Sequence, residues 1–179
     1  QFCGIHFFNP PRYMPLVELI PTAATEPALV DGLEGWLTTR LGKSIVRAKD
    51  TPNFVANRVG VFSILAVLHH TQRLGLAFDE VDLLTGPRIG RPKSATFRTG
   101  DVVGLDTRAH VVGTMQATLP DDPWSAHFRT PDWLQALIAR GALGQKTKCG
   151  IYRKQGKQIQ VLYLQLQDYR DSGGEVFPE

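Results

Sequence analysis

The stretch GIHFFNPPRYMPLVELIP, residues 4–21, decides the fold of the first part of the chain. Its two apolar segments are separated by Pro10 and Pro11, and proline cannot continue a helix because it lacks a backbone N–H and clashes with the preceding turn. Short apolar segments bounded by such a turn are typical of strands. The pattern predicts two strands joined by a proline-rich turn.

The residues that follow complete a small α/β unit. Residues 25–42 have the spacing of an amphipathic helix, with Thr25 as the expected N-cap, Pro27 in the first turn and Gly42 as the stop. A short strand follows and is broken at Pro52. The order strand, strand, helix, strand predicts the closing half of an α/β unit.

Helical periodicity begins near residue 54. The first segment, 54–75, is long and largely apolar, so we expect a central buried helix. Shorter helices are predicted from Phe78, over 105–119, and from a cap at Thr130. The tail instead alternates as strands do around Gly156.

These patterns predict a mainly α fold with a small α/β portion at the N-terminus. The predicted boundaries give one domain over 1–49, a helical domain over 50–154, and a linker or β-hairpin tail over 155–179.

Composition limits the classes of function. The 179 residues are 42% hydrophobic and 21% charged, as in an ordinary soluble chain of one or two domains, and no apolar run reaches a membrane span. Cys3 and Cys149 lie at opposite ends, which indicates neither a zinc site nor a disulfide framework and favours a reducing, cytoplasmic location. The net charge of +3 is scattered, so we expect no nucleic-acid partner and only a mild attraction to phosphate-bearing small molecules.

His6 and Glu18 are the first candidates for chemistry. They lie on opposite sides of the proline turn, so paired strands would bring them side by side. A carboxylate beside an imidazole fixes its tautomer and stabilises the imidazolium, as a general base requires. On pattern alone a structural histidine is the commoner explanation, because a single His–Glu pair often arises by accident, and the spacing does not decide between the two interpretations.

Four segments, in this order, resemble the 3-hydroxyacyl-CoA dehydrogenase family over roughly residues 3–154. The first resembles its HFFNP signature, which carries a histidine and is followed by a glutamate at the same distance. The others resemble its KDTPGF-x-x-NR segment, its Gly-Pro loop with D-x-VGLD, and its KTG-x-GFY motif. The segments are GIHFFNPPRYMPLVELI, KDTPNFVANRV, GPRIGRPKSATFRTGDVVGLD and GQKTKCGIYRK.

The resemblance implies roles for particular residues. His6 matches the general base, Glu18 its orienting partner, Asn57 the asparagine that helps hold the substrate oxygen, and Asn9 a structural turn residue. It further implies NAD-dependent oxidation of (3S)-3-hydroxyacyl-CoA to 3-oxoacyl-CoA in fatty-acid β-oxidation. Residues 1–49 would end a Rossmann-like NAD-binding domain, and an all-helical C-terminal dehydrogenase domain would follow and form a homodimer.

Several features depart from the family pattern. The 179 residues contain no G-x-G-x-x-G loop and no counterpart of the family's catalytic serine. We therefore expect a fragment that is inactive alone, with NAD-contacting residues unassigned. Lys148 stands at a glycine of KTG-x-GFY and Ile151 at its phenylalanine, which predicts an altered turn. The tail resembles the linker of long dehydrogenases that also carry an enoyl-CoA hydratase region.

Two other functions compete with this one. The helical part could be a non-catalytic oligomerisation module, but the presence of both His6 and Glu18 argues against that. A β-hydroxyacid dehydrogenase shares a helical C-terminal domain, yet that class uses a lysine-centred site. No metal site is predicted, because His69 and His70 are adjacent on a helix and face different directions. A basic cluster could meet CoA phosphates, although a solvated loop fits it better; its residues are Arg88, Arg91, Lys93 and Arg98.

Overall fold

The computed structural model describes residues 2–173 and divides the chain into two compact units, Gln1–Gly60 and Val61–Glu179. The boundaries predicted at 49/50 and 154/155 stay predictions. The first unit has the predicted order of strand, strand, helix, strand. Its elements are β1 (Cys3–Phe7), β2 (Leu16–Pro21), α1 (Pro27–Leu41) and β3 (Ser44–Arg47), followed by the start of α2 (Ala56–Leu74).

Strand β2 is the centre of the first sheet. It pairs antiparallel with β1 across the proline turn and parallel with β3, and the parallel connection is made by α1, since parallel neighbours need a crossover. The core of this unit is formed by Val17 and Leu19 of β2 with Val30 and Leu37 of α1. A central strand whose sides are both paired holds its side chains in a fixed register.

The N-cap of helix α1 lies one residue later than expected. Thr25 is not the N-cap: Glu26 is, in an extended conformation with φ −69° and ψ 134°. The reason is Pro27, which is preorganised for the first helical position and keeps the residue before it extended. The expected stop is confirmed, because Gly42 is left-handed at φ 63°.

The second unit contains helices and a second sheet. The N-cap of its last helix is Pro131, so the expected cap at Thr130 is also wrong. Its α-helices are the greater part of α2, α3 (Phe78–Leu84), α4 (Phe97–Val103), α5 (Leu105–Thr118) and α6 (Asp132–Ala139). The antiparallel strands are β4 (Tyr152–Gln155), β5 (Gln158–Tyr163) and β6 (Asp168–Asp171), with β5 in the middle.

The expected fold class was a mainly α chain, the end of a Rossmann-like domain followed by an all-helical domain, and it is wrong. The chain is mixed α and β, and the β4–β5–β6 sheet belongs to the core of the second unit. Val161 is fully buried and Leu162 nearly so, and both belong to the same cluster as Phe78 and Phe97 of the helices. The helices alone do not complete this core, so the alternating tail residues are needed to cover it.

Helix α2 is less buried than its composition suggests. It buries Leu65 and Leu68, whereas Val59, Phe62 and Leu74 are exposed. The expectation of a central buried helix is therefore wrong for one of its faces. Over residues 2–173, none of the helices combines the length and apolar character that crossing a bilayer would require.

The turn between α6 and β4 is built around Asp101 of α4. The buried Asp101 carboxylate accepts the backbone N–H groups of Ile151 at 2.9 Å and Tyr152 at 2.7 Å. A Cβ atom on Gly150 would lie 2.2 Å from Asp101 Oδ1, so only glycine fits there. Lys148 has φ 60°, the left-handed conformation in which glycine is most easily accommodated.

Candidate active site

His6 and Glu18 face each other across the β1–β2 pair. They are direct partners in the strand register, and His6 Nδ1 lies 2.7 Å from Glu18 Oε2. The His6 side chain is 28% exposed, whereas that of Glu18 is 1% exposed. The proline turn thus sets a register that places a buried carboxylate behind a histidine that solvent can reach.

The second oxygen of Glu18 binds the start of α2. Glu18 Oε1 accepts the backbone N–H groups of Val55 at 2.9 Å and Ala56 at 2.8 Å. The first N–H groups of a helix have no partner within it, and a buried carboxylate needs donors. The carboxylate therefore satisfies the two N–H groups at the helix start, and they satisfy the carboxylate. Together with His6 Nδ1, these two N–H groups hold Glu18 in one orientation.

This arrangement assigns the tautomer of His6. If Nδ1 donates its hydrogen to Glu18, then Nε2 of the neutral ring carries a lone pair and accepts a proton. Two aromatic rings flank the imidazole, Phe8 with centroids 4.5 Å apart and Phe54 at 5.5 Å. The rings restrict the imidazole without removing it from solvent. This geometry would allow the ring to act as a general base oriented by Glu18.

Asn57 lies in the first turn of α2, directly after Ala56, and is half-buried. Its place in the chain is fixed by the same helix start that Glu18 caps. The structure therefore brings the region of Asn57 to the dyad through the backbone of Ala56. A substrate-binding role for the Asn57 side chain stays a prediction.

The loop before α2 is strained. Asn53 and Phe54 have φ values of 60° and 51°, a left-handed conformation that is unfavourable for a bulky residue such as Phe54. The Nδ2 atom of Asn53 is buried and has no hydrogen-bond partner in the described structure. Strain of this kind persists where surrounding contacts impose it and is frequent near functional sites.

Sequence reasoning missed the backbone donors of Val55 and Ala56 and the rings of Phe8 and Phe54. Every residue other than proline has a backbone N–H, so residue types do not indicate which of these groups will point at Glu18. One signal was available: Glu18 is an acid inside the apolar run LVELI, and a carboxylate there needs more donors than one imidazole provides.

The described residues and the sequence bear on metal and cofactor ligands. Within residues 2–173, no group of three His, Cys, Asp or Glu side chains is placed to hold a metal ion. The sequence has no glycine-rich loop for the diphosphate of NAD. We therefore assign no NAD contact to particular residues of this chain.

The chain belongs to the 3-hydroxyacyl-CoA dehydrogenase family. Residues 54–154 match the model of the family's C-terminal domain, and residues 1–51 match that of its NAD binding domain. The resemblance drawn from the four segments is thereby confirmed, and NAD is the cofactor of the family.

Individual relatives agree with this assignment. Two curated proteins named "Probable 3-hydroxyacyl-CoA dehydrogenase" are each 45% identical to the chain. The one from Bacillus subtilis matches over 162 residues, which are 90% of the chain and 20% of that protein. The one from Deinococcus radiodurans matches over 154 residues, which are 86% of the chain and 44% of that protein. The crystal structure of (S)-3-hydroxybutyryl-CoA dehydrogenase from Ralstonia eutropha matches with TM-score 0.74 and 29% identity, covering 86% of the chain and 52% of that structure. The chain thus spans less than half the length of these curated relatives.

Proposed function

We propose that this chain supplies the catalytic base for oxidation of (3S)-3-hydroxyacyl-CoA to 3-oxoacyl-CoA with NAD. The observation that carries the proposal is the 2.7 Å contact between His6 Nδ1 and Glu18 Oε2, which leaves His6 Nε2 as a proton acceptor. When bound, NAD accepts the hydride from C3 of the substrate. Fatty-acid β-oxidation is the pathway that the family resemblance implies. A cytoplasmic location stays a prediction.

His6 takes the proton of the substrate's 3-hydroxyl at Nε2 as the C3–H bond breaks. Removing this proton lets the C–O bond become a carbonyl, and the ring becomes an imidazolium. Glu18, which is buried, offsets the positive charge at Nδ1. Because Val55 and Ala56 hold its other oxygen, the carboxylate need not reorient as the charge develops.

Asn57 is proposed to hold the oxygen of the substrate with its side-chain amide. An amide N–H is a suitable donor for an oxygen that gains negative charge. Support comes from its place in the first turn of α2, one residue after the Ala56 N–H that binds Glu18. The same helix start would then set the positions of both the base and the oxygen-binding group.

A chimeric enzyme tests the proposal. The chain would replace the matching 154 residues of the Deinococcus radiodurans relative, and NADH formation from 3-hydroxybutyryl-CoA would be followed. We expect His6→Gln to lower kcat by roughly 10²–10⁴-fold, the range for loss of a general base. A cooperative thermal melt of each protein establishes that it is folded.

Two controls make the result specific. His110→Gln makes the same chemical change at an exposed position on α5 and should leave kcat unchanged. The 179 residues assayed alone should form no NADH, because they contain no glycine-rich nucleotide loop. A folded His6→Gln chimera with full kcat would overturn the proposal.

We also propose a homodimer formed through the helical part of the chain. The support is the exposed apolar face of α2, on which Val59 is 61% exposed and Phe62 39% exposed. Val59→Arg should convert the dimer to a monomer, whereas Leu166→Arg, at an exposed apolar position between β5 and β6, should not. Light scattering at micromolar concentration measures the mass, and a wild-type mass equal to one chain, 19.8 kDa, would contradict the dimer.

A further inference from the structure

The second unit carries a groove whose lining includes none of His6, Glu18 and Asn57. It has a volume of about 690 Å³ and lies between α3, the segment leading into α4, and the β5 strand. A second hollow of about 510 Å³ continues it along the β4–β5 hairpin, and the two share Arg98 and Ile159 as lining residues. Both volumes are in the range of small-molecule sites.

The groove is lined by cations. The lining cations are Arg88, Lys93 and Arg98 in the first part and Lys148, Arg153 and Lys154 in the second. None of these six takes part in a salt bridge between described residues. Their charge is therefore available to an anion from solution.

The carboxylates in the groove are already bound. Asp79 forms two hydrogen bonds with Arg170, at 2.7 and 2.9 Å. Asp82 accepts the Tyr152 hydroxyl at 2.9 Å as well as three backbone N–H groups, those of Thr96, Phe97 and Arg98. The third carboxylate, Asp101, is held by the β4 turn. The three carboxylates that line the groove thus bind other groups of the protein, and the cations outnumber them, so the groove presents a net positive charge.

Arg98 at the junction is held in place. Its guanidinium lies 4.4 Å from the centroid of the Tyr152 ring, and the hydroxyl of that ring is fixed on Asp82. A guanidinium held over a ring still has N–H groups that can donate to the paired oxygens of a phosphate. Less side-chain entropy is then lost on binding than with a mobile arginine.

Apolar surface lies beside the cations. Ile159, which lines both parts, is 45% exposed, and Val102 in the second part is 60% exposed. An inorganic ion would leave this surface bare, whereas an organic group would cover it.

We propose that this groove binds an organic phosphate, a phosphate monoester or diphosphate carried on an apolar or aromatic group. The phosphate lies among Arg88, Lys93 and Arg98, and the organic group covers Ile159 and Val102. A soluble nucleotide and the headgroup of an anionic lipid both have this chemistry. The site does not depend on the His6–Glu18 dyad.

Titration calorimetry with ADP on the 179-residue protein tests the site. The double variant Arg88→Ala/Lys93→Ala removes two exposed cations, and Arg98→Met removes the third charge while keeping an aliphatic chain over Tyr152. Each should weaken ADP binding by about tenfold or more, because hydrogen bonds from a charged donor to the phosphate are lost. Lys157→Ala, which removes an exposed cation outside the groove, should change nothing.

Further probes separate the sources of phosphate. Inorganic phosphate should bind more weakly than ADP. Vesicles containing phosphatidic acid that bind wild type but not the groove variants, without ADP binding, would support the lipid source. ADP binding that is equal in all variants, or absence of binding to both ADP and vesicles at low salt, would overturn the site. His6→Gln should leave binding unchanged, so failure of the proposed reaction would not be confused with failure here.

Discussion

The Glu18 carboxylate connects the His6 imidazole to the start of α2. One oxygen lies 2.7 Å from His6 Nδ1, and the other accepts N–H groups of Val55 and Ala56. One side chain thus orients the proposed base and also caps a helix. Changes at Glu18 should affect both stability and catalysis, whereas His6→Gln, whose amide can still donate to Glu18, should mainly affect catalysis.

Glu18→Gln separates these two effects. A glutamine has one acceptor oxygen, so it cannot accept from both His6 and the helix start. If its amide faces His6, the ring must move its hydrogen to Nε2 and loses its proton-accepting position. We expect kcat of the chimera to fall, but less than in His6→Gln, and the free energy of unfolding to fall by about 1–3 kcal/mol.

Urea unfolding and NADH assays on the same samples measure both effects. Glu18→Ala leaves the two backbone N–H groups without a partner and should be less stable than Glu18→Gln. Equal stability of wild type and both variants would show that Glu18 does not cap α2.

The sequence predicted this site further than it predicted the fold. Proline positions and apolar runs indicated the β1–β2 pair, and the strand register follows from that pairing. The His6–Glu18 contact could therefore be predicted from the sequence. The second sheet was underestimated because Val161 and Leu162 are core residues of a segment that is otherwise polar. The donors of Val55 and Ala56 are backbone groups whose direction depends on a loop, and no residue type encodes that.

Asn57→Ala tests the oxygen-binding role. Loss of a hydrogen bond to an oxygen that becomes charged should cost about 1.5–3 kcal/mol in the transition state, roughly ten- to a hundredfold in kcat/KM. The loss should appear mainly in kcat if the bond strengthens as charge develops. An Asn57→Ala chimera with wild-type kcat and kcat/KM would assign the residue to the helix start alone.

Asn53→Gly should stabilise the chain. Glycine adopts the left-handed φ of 60° without steric cost, and the substitution removes the buried, unpaired Nδ2 atom. We expect the free energy of unfolding to rise by about 1 kcal/mol, measured with urea. Asn53→Ala removes the amide but keeps a Cβ atom in the left-handed conformation, so it should gain less. A glycine variant less stable than wild type would mean that the Asn53 amide finds a partner.

Lys148→Gly should also stabilise the chain, and here the only cause is the left-handed backbone conformation of residue 148. Lys148 has φ 60° and ψ 11°, and a side chain in this conformation costs about 1 kcal/mol, which the larger entropy of unfolded glycine partly cancels. A net gain of about 0.5 kcal/mol is expected in urea unfolding. Lys148→Ala should show no gain, and a gain as large as that of glycine would indicate an effect of charge instead.

Asp101 should make the stability of the chain depend on pH. Burial raises the pKa of the Asp101 carboxyl from 3.8 to about 6, although the N–H groups of Tyr152 and Ile151 act against the rise. The folded state therefore keeps a proton that the unfolded state has released between about pH 4 and pH 6. The contribution of Asp101 to stability is fully present below pH 4 and is lost as pH rises through 6, by up to about 3 kcal/mol.

Asp101→Asn isolates this contribution because asparagine does not titrate. Urea unfolding of both proteins from pH 4 to pH 7 gives the difference in free energy of unfolding, in which the other titrating groups largely cancel. We expect wild type to lose stability relative to Asp101→Asn as pH rises over this window. A difference that moves the opposite way would mean that the N–H groups of Ile151 and Tyr152 outweigh burial and that Asp101 is held ionised in the folded state.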